Sequence, residues 1–390
     1  MPPDRDGLIA PHGGRLVDLL AGPDRRAELV AAARRWPVWN LTPRQLCDLE
    51  LLVTGAFSPL GGFMGRADYE SVCVSMRLAD GTLWSMPITL DVSHRLARHL
   101  GPGATLGLRD PYGLLLAALH VDDVWRPDRC REAHDVYRTT STHHPGVAHL
   151  LGHSHGWYVG GRIEGLRLPD QNTFADLRLR PDELRAEFAR LGWDRIVAFH
   201  TRNPLHRAHY ELTRRAAETA GAKLLLHPVV GMTKPGDLDA ATRVRCYRAV
   251  MGRYPAGTAR LAVIPMAMRM AGPRDALWNA IIRKNYGCTH YIVGRDHASP
   301  GHDRDGTPFY DPYEAQDLLR SAEEELGVRT VAFPTMVYLP AADRYLPEAE
   351  VPAGAATRTV SGTLLRQMLA EDAPLPEWVT FPEVAAELRR

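Results

Sequence analysis

Residues Arg195-Ile-Val-Ala-Phe-His-Thr-Arg-Asn-Pro-Leu-His-Arg-Ala-His209 decide the fold class of most of this chain. Arg195 to Phe199 is a short apolar run of the kind that parallel sheets bury on both faces. A cationic loop follows, and then a helical stretch. Asn203 is a favourable N-cap and Pro204 suits the first helical position, where its missing N–H costs nothing. A helix is therefore expected from Pro204 to about Ala220, stopping at Gly221. His206 and His209 stand three apart and would share a face of its first turn, beside orphan N–H groups and the positive end of the helix dipole. With Arg202 and Arg207 close by, a strand that runs into this loop makes a site for phosphate or a similar anion.

Outward from this stretch the pattern alternates. Strands are expected at Lys223 to His227, Leu261 to Pro265, His290 to Val293 and Arg329 to Phe333, with helices between them, which is the signature of a doubly wound parallel α/β domain. One such helix, Pro273 to Tyr286, places Leu277, Ala280, Ile281 and Lys284 at helical spacing and ends before Gly287. Gly294-Arg-Asp-His-Ala-Ser-Pro-Gly301 follows a strand, at the end where open parallel sheets put their ligands. Before about Pro169 the chain reads as β-rich: Thr105 to Arg109 and Leu114 to Val121 flank Asp110-Pro-Tyr-Gly113, whose turn chemistry predicts a hairpin. Gly55 to Gly65 reads as an ordered loop.

Composition sets limits. At 390 residues the chain exceeds one core, so two or more domains are expected. A formal net charge of +1 gives no support to a nucleic-acid or membrane partner. Any anion site must then be built locally. The five cysteines are odd in number, widely spaced and without a Cys-x-x-Cys pair, so neither a disulfide framework nor a thiolate zinc site is suggested. No apolar run approaches the roughly 20 residues of a membrane span, and the start lacks a signal-peptide pattern. A cytoplasmic protein is expected. His143, His144, His149, His153 and His155 invite a metal reading, but acidic or Cys ligands at zinc spacing are missing.

His-x-x-His after a strand resembles the nucleotidylyltransferase superfamily. The longer string Thr-Arg-Asn-Pro-x-His-Arg-Ala-His (Thr201 to His209) resembles one member family, the ATP sulfurylases or sulfate adenylyltransferases. Pro11-His-Gly-Gly14, Leu41-Thr-Pro43, Gly55-Ala-Phe-Ser-Pro-Leu-Gly-Gly-Phe63, His227-Pro-Val-Val-Gly-Met-Thr-Lys-Pro-Gly-Asp237, Met268-Arg-Met-Ala-Gly-Pro273, the Gly294 to Gly301 loop and Ser361-Gly-Thr363 resemble that family in the same order. The resemblance implies a PUA-like mixed β domain over residues 1–169, a Rossmann-like catalytic domain over 170–340, and a small C-terminal region, 341–390, that completes the site. It implies transfer of the adenylyl group of ATP to sulfate, with release of pyrophosphate and no nucleophilic side chain.

By the same resemblance Arg202, His200 and the backbone N–H of Ala298 hold sulfate. Thr201, Asn203, Gly294, Asp296, His297 and Met336 hold the nucleotide together with His200, Arg202 and Arg295. His206, His209 and Arg295 stabilise charge that develops on the phosphates, and Phe333 matches a position tied to substrate-dependent rearrangement. Magnesium arrives only with ATP, no protein-bound zinc is expected, and a homo-oligomer is implied. No Gly-x-x-x-x-Gly-Lys-Ser/Thr loop appears, so no fused kinase is expected.

Two departures matter. Relatives usually carry glutamine where this chain has His200, and glycine where it has Ser299. Imidazole still offers a hydrogen bond, but it titrates near neutrality. Adenylyl transfer to a different oxyanion, or a catalytically silent nucleotide-binding regulator, are the alternatives.

Overall fold

A computed structural model of the chain describes residues 7–169, 173–234, 236–359, 367–368, 371 and 373–390. The first part is built on a six-stranded sheet of β1 (Val38–Asn40), β2 (Gly62–Phe63), β3 (Leu90–Val92), β4 (Thr105–Arg109), β5 (Leu115–Trp125) and β6 (Trp157–Gly165). β4 and β5 form the expected antiparallel hairpin. Its turn is set by Asp110, whose Oδ1 accepts from the N–H groups of Tyr112 and Leu114 at 3.0 and 2.8 Å. The Gly55 to Gly65 stretch differs from a plain loop, because Gly62–Phe63 pairs with β6. A Cβ on Gly62 would lie 2.0 Å from the Gly161 carbonyl oxygen, so only glycine lets the two backbones meet there.

The second part is an open sheet of β7 (Ile196–Phe199), β8 (Lys223–Leu226), β9 (Ala259–Leu261), β10 (His290–Val293) and β11 (Arg329–Ala332), in the order β11-β10-β7-β8-β9. All its pairs are parallel. β7 and β10 are buried along their whole length, which explains runs without polar alternation. β9 ends earlier than expected. Beyond it Ala262 still donates to the Leu226 carbonyl, but Val263 turns to that of Leu177, so the backbone stays extended while the regular ladder stops.

From β7 the chain winds outward to β8 and β9, then returns to the opposite side of β7 as β10 and β11. The reversal falls between β7 and β10, the position where doubly wound sheets open a crevice at their carboxyl ends. A hairpin of β12 (Met336–Leu339) and β13 (Arg344–Pro347) follows. The final helix, Pro382–Leu388, buries Val384 in one apolar cluster with Val244, Tyr247 and Val250 of the helix Ala240–Met251. The two parts of the chain are joined by buried ion pairs. Arg269 reaches both Asp48 oxygens at 2.6 and 2.7 Å, and Arg178 donates to Glu50 at 2.5 Å. Among the described residues no helix is long and apolar enough to cross a membrane.

Candidate active site

The helix after β7 starts three residues later than the Asn203-Pro204 signal suggests. It runs Arg207–Ala220 with His206 at its N-cap, and ends at Gly221 with φ of 55° as expected. The reason is tertiary. The Asn203 carbonyl is taken by the Tyr247 hydroxyl at 2.8 Å, its N–H by Thr201 Oγ1 at 3.1 Å, and Leu205 is buried. Residues 200–206 are thereby held as a loop across the end of the sheet.

His206 and His209 sit at the N-cap and third positions with rings 5.9 Å apart. The His206 backbone N–H donates to His209 Nδ1 at 3.3 Å. A neutral imidazole that accepts at Nδ1 carries its proton on Nε2, so His209 keeps a ring N–H to give. Arg207 N–H bonds the Val379 carbonyl, so one of the orphan donors of the helix start is satisfied from the C-terminal region. The Arg207 guanidinium, expected as fixed charge near the anion, is spent on Asp343 and the Glu377 carbonyl. It ties the C-terminal region to this helix instead.

Arg202 is held. Its Nη1 donates to Asp237, whose other oxygen accepts from the Lys234 N–H at 3.0 Å. Burial first, then the Arg283 guanidinium, with His297, His227 and Arg202 adding to it, push His200 well below the ordinary imidazole range. Its Nδ1 lies 2.7 Å from Arg283 Nη2.

The second loop leaves β10. Gly294 and Ala298 are half-buried, while Arg295 and Asp296 are exposed and pair with each other at 3.3 Å, a contact worth little in water. His297 is fixed by the Tyr291 hydroxyl at 3.0 Å. Asp296 and Ala298 both adopt left-handed backbone, φ 53° and 55°, which costs of order 1 kcal/mol for residues other than glycine. Left-handed residues of this kind can turn successive backbone N–H groups toward one side, the geometry that suits an anion. The Ala298 carbonyl accepts from the Gly272 N–H, and its own N–H has no partner among the described residues.

β7 and β10 are neighbours in register, Val197 beside His290 and Ala198 beside Tyr291, so the two loops start side by side. The His200 and His297 rings are 6.2 Å apart. Lys234, in the loop that carries Asp237, donates to the Pro300 carbonyl at 3.2 Å, bridging the Arg202 side to the second loop. Burial lowers His206 to about 3, helped by His209, and lowers His209 and His297 to about 4, the latter helped by Arg283. Near neutral pH these rings are uncharged donors, and the cationic charge rests on the arginines and Lys234.

Met336 opens β12, paired with Pro347, and Phe333 is buried with its N–H on the Val293 carbonyl. Both follow β11, next to β10. Ser361-Gly-Thr363 lies outside the described residues. In the histidine cluster, His144 is a helix cap: Nδ1 accepts from the Gly146 N–H and Nε2 meets the Tyr310 hydroxyl. Among the described residues no group of three or more His, Cys, Asp or Glu side chains could hold a metal ion.

Sequence reasoning assigned no role to Asp237, Lys234 or Arg283. A signal for Arg283 was present: Asp275, Asn279 and Arg283 recur every four residues in a helix that is otherwise largely apolar, which marks a polar row on a buried face.

Residues 175–390 match the family model described as ATP-sulfurylase, and residues 9–168 match that of a PUA-like domain. The chain is 49% identical to a sulfate adenylyltransferase of Eremothecium gossypii, over 98% of this chain and 77% of that protein. It is 49% identical to the enzyme of that name from Saccharomyces cerevisiae, over 98% of this chain and 75% of the other. It is 52% identical to that of Neosartorya fischeri, over 97% and 67%. Among solved structures it is similar to a hexameric APS kinase from Thiobacillus denitrificans, with a TM-score of 0.81 at 37% identity, covering 98% of this chain and 68% of that one.

Proposed function

The chain belongs to the ATP-sulfurylase family, and from that membership we infer that it is a sulfate adenylyltransferase, a nucleotidyltransferase that makes adenosine 5′-phosphosulfate and pyrophosphate from ATP and sulfate. A sulfate oxygen attacks the α-phosphorus in line. The new bond is P–O, which completes a P–O–S link, while the α–β phosphoanhydride bond breaks and its electron pair leaves with pyrophosphate. No covalent enzyme intermediate is required.

The physical problem is charge. Two unit charges about 4 Å apart repel by ~1 kcal/mol in water and by ~4 kcal/mol at an effective dielectric of about 20, and here a dianion meets a polyanion. The observation that carries the reading is the convergence of two anion-suited loops from adjacent parallel strands, with His200 and His297 6.2 Å apart. In this reading Arg202, His200 and the Ala298 N–H hold sulfate. Thr201, Asn203, Gly294, Asp296, His297 and Met336 hold the nucleotide, with His200, Arg202 and Arg295 also in its reach. His206, His209 and Arg295 donate to oxygens whose charge grows in the transition state.

Magnesium belongs to this reading as a companion of the ATP phosphates, where it neutralises part of their charge. A cytoplasmic location and a homo-oligomer belong to it as well, the latter supported by the description of the solved relative as hexameric. The test is pyrophosphate release from MgATP with sulfate, repeated with molybdate as a dead-end acceptor. Release that needs neither acceptor, or ATP binding with no release, would refute it.

A further inference from the structure

The helix Pro273–Asn285 is buried from Asp275 to its end. Polar side chains in such a place must find partners, and three of them form one row at four-residue spacing. Asn279 Nδ2 donates to Asp275 Oδ1 at 2.6 Å, and Arg283 Nη1 donates to Asn279 Oδ1 at 2.6 Å. Arg283 Nη2 then reaches out of the helix to His200 Nδ1 at 2.7 Å and to the His227 carbonyl at 3.2 Å.

The direction of every bond in this row is determined. A guanidinium has only donors, so Asn279 must turn its oxygen to Arg283 and its nitrogen to the Asp275 carboxylate. For the same reason His200 Nδ1 must accept. A neutral ring that accepts at Nδ1 carries its proton on Nε2, and His200 Nε2 is buried with no partner among the described residues. Leaving a buried donor unmet is costly, and the ring's two nitrogens diverge, so this N–H points away from Arg283. His200 lies two residues before Arg202 and faces the His297 ring. The groups that face it, Arg283, His297, His227 and Arg202, are all cationic or basic, and none favours a second proton on the ring.

We propose that Asn279 and Arg283, anchored by Asp275, are positioning residues that lock His200 as an uncharged Nε2–H donor to the acceptor oxyanion. The proposal rests on the sulfate site of the proposed function. The opposite tautomer would turn a lone pair toward a dianion, and an imidazolium would face the Arg283 cation. Locking the ring gives the donor that a side-chain amide could also supply at this position, with its oxygen toward Arg283 and its N–H toward the anion.

The test has two parts. In the full-length protein labelled with 15N-histidine, with His200 assigned by comparison with His200→Gln, its Nδ1 is expected to resonate as a bare nitrogen and Nε2 as a protonated one from about pH 6 to 8. A protonated Nδ1, or an imidazolium within that range, overturns the proposal. This measurement needs no turnover and no change inside the helix, so it stands apart from a failure of the proposed activity. In the second part Asn279→Leu is expected to raise KM for sulfate about tenfold and leave KM for MgATP within about twofold. Equal effects on both constants in a folded variant, or none on either, would mean that the row only holds the helix together.

Discussion

Arg202 and Asp237 stand 35 residues apart in sequence, yet the guanidinium of one donates to the carboxylate of the other across the end of the sheet. Only Nη1 is used. The same carboxylate accepts the Lys234 N–H at 3.0 Å, so Asp237 clamps its own loop while it aims the Arg202 fork, whose remaining N–H groups stay available to a tetrahedral anion.

Removing that clamp should cost binding of the smaller substrate first. Asp237→Ala is expected to raise KM for sulfate about tenfold, the equivalent of roughly 1.4 kcal/mol, with KM for MgATP changed much less. Initial rates at varied sulfate and fixed saturating MgATP measure it. An unchanged sulfate KM would show that Arg202 needs no orientation.

Arg202→Ala removes the cation itself. Loss of one donor to developing or bound negative charge typically costs ~3 kcal/mol, so turnover should fall at least about hundredfold while the circular dichroism spectrum and melting profile stay those of a folded protein. Near-normal pyrophosphate release by this variant would falsify the placement of sulfate at Arg202.

His200→Gln should retain sulfate-dependent pyrophosphate release, because an amide can accept from Arg283 and still donate toward the anion. His200→Leu, which can do neither, should lose most of it and leave Arg283 with an unmet buried donor. Comparing the two in the same assay separates a donor role from simple packing, and a collapse in both would point to an acceptor other than sulfate.

Acid should destabilise the fold in a defined window. His206, His209 and His297 are held at about 3, about 4 and about 4 when folded, against about 6.5 when unfolded. Below that value the unfolded chain takes protons that the folded one refuses. Their stabilisation is therefore complete above about pH 6.5 and is lost as pH falls toward 4, and toward 3 for His206, by roughly 3 kcal/mol for His209 and His297 and roughly 5 kcal/mol for His206. Urea midpoints measured across this range should drop on the acid side, and less steeply in His297→Gln.

The Arg269–Asp48 pair is almost entirely buried between the two parts of the chain, with side chains 1% and 3% exposed. Breaking it from one side leaves a buried charge. Asp48→Ala or Arg269→Ala should each cost about 3–5 kcal/mol, and replacing both with apolar residues of similar size should cost far less. Chemical denaturation of the three variants tests this; additive losses would exclude the pairing.

The doubly wound sheet, the hairpin around Asp110 and the two loops at strand ends were legible because local signals carry them: apolar runs, turn residues, and glycine at the ends of helices. The helix starts at Arg207 and not at Pro204, because the sound local signal of Asn203-Pro204 is overruled by Tyr247 and a buried Leu205. Arg207 shows the same limit, since its charge pointed to the anion and its position gave it to Asp343.

Residue order alone set the fold class, the family and the position of the two loops at the strand ends, because periodicity, capping and motif spacing are properties of near neighbours along the chain. The partners of the charged groups came only with folding. Which carboxylate aims Arg202, which guanidinium orients His200, and which N–H groups stay open are matters of contact between segments tens of residues apart. Such contacts depend on burial and direction in space, and no local pattern encodes them.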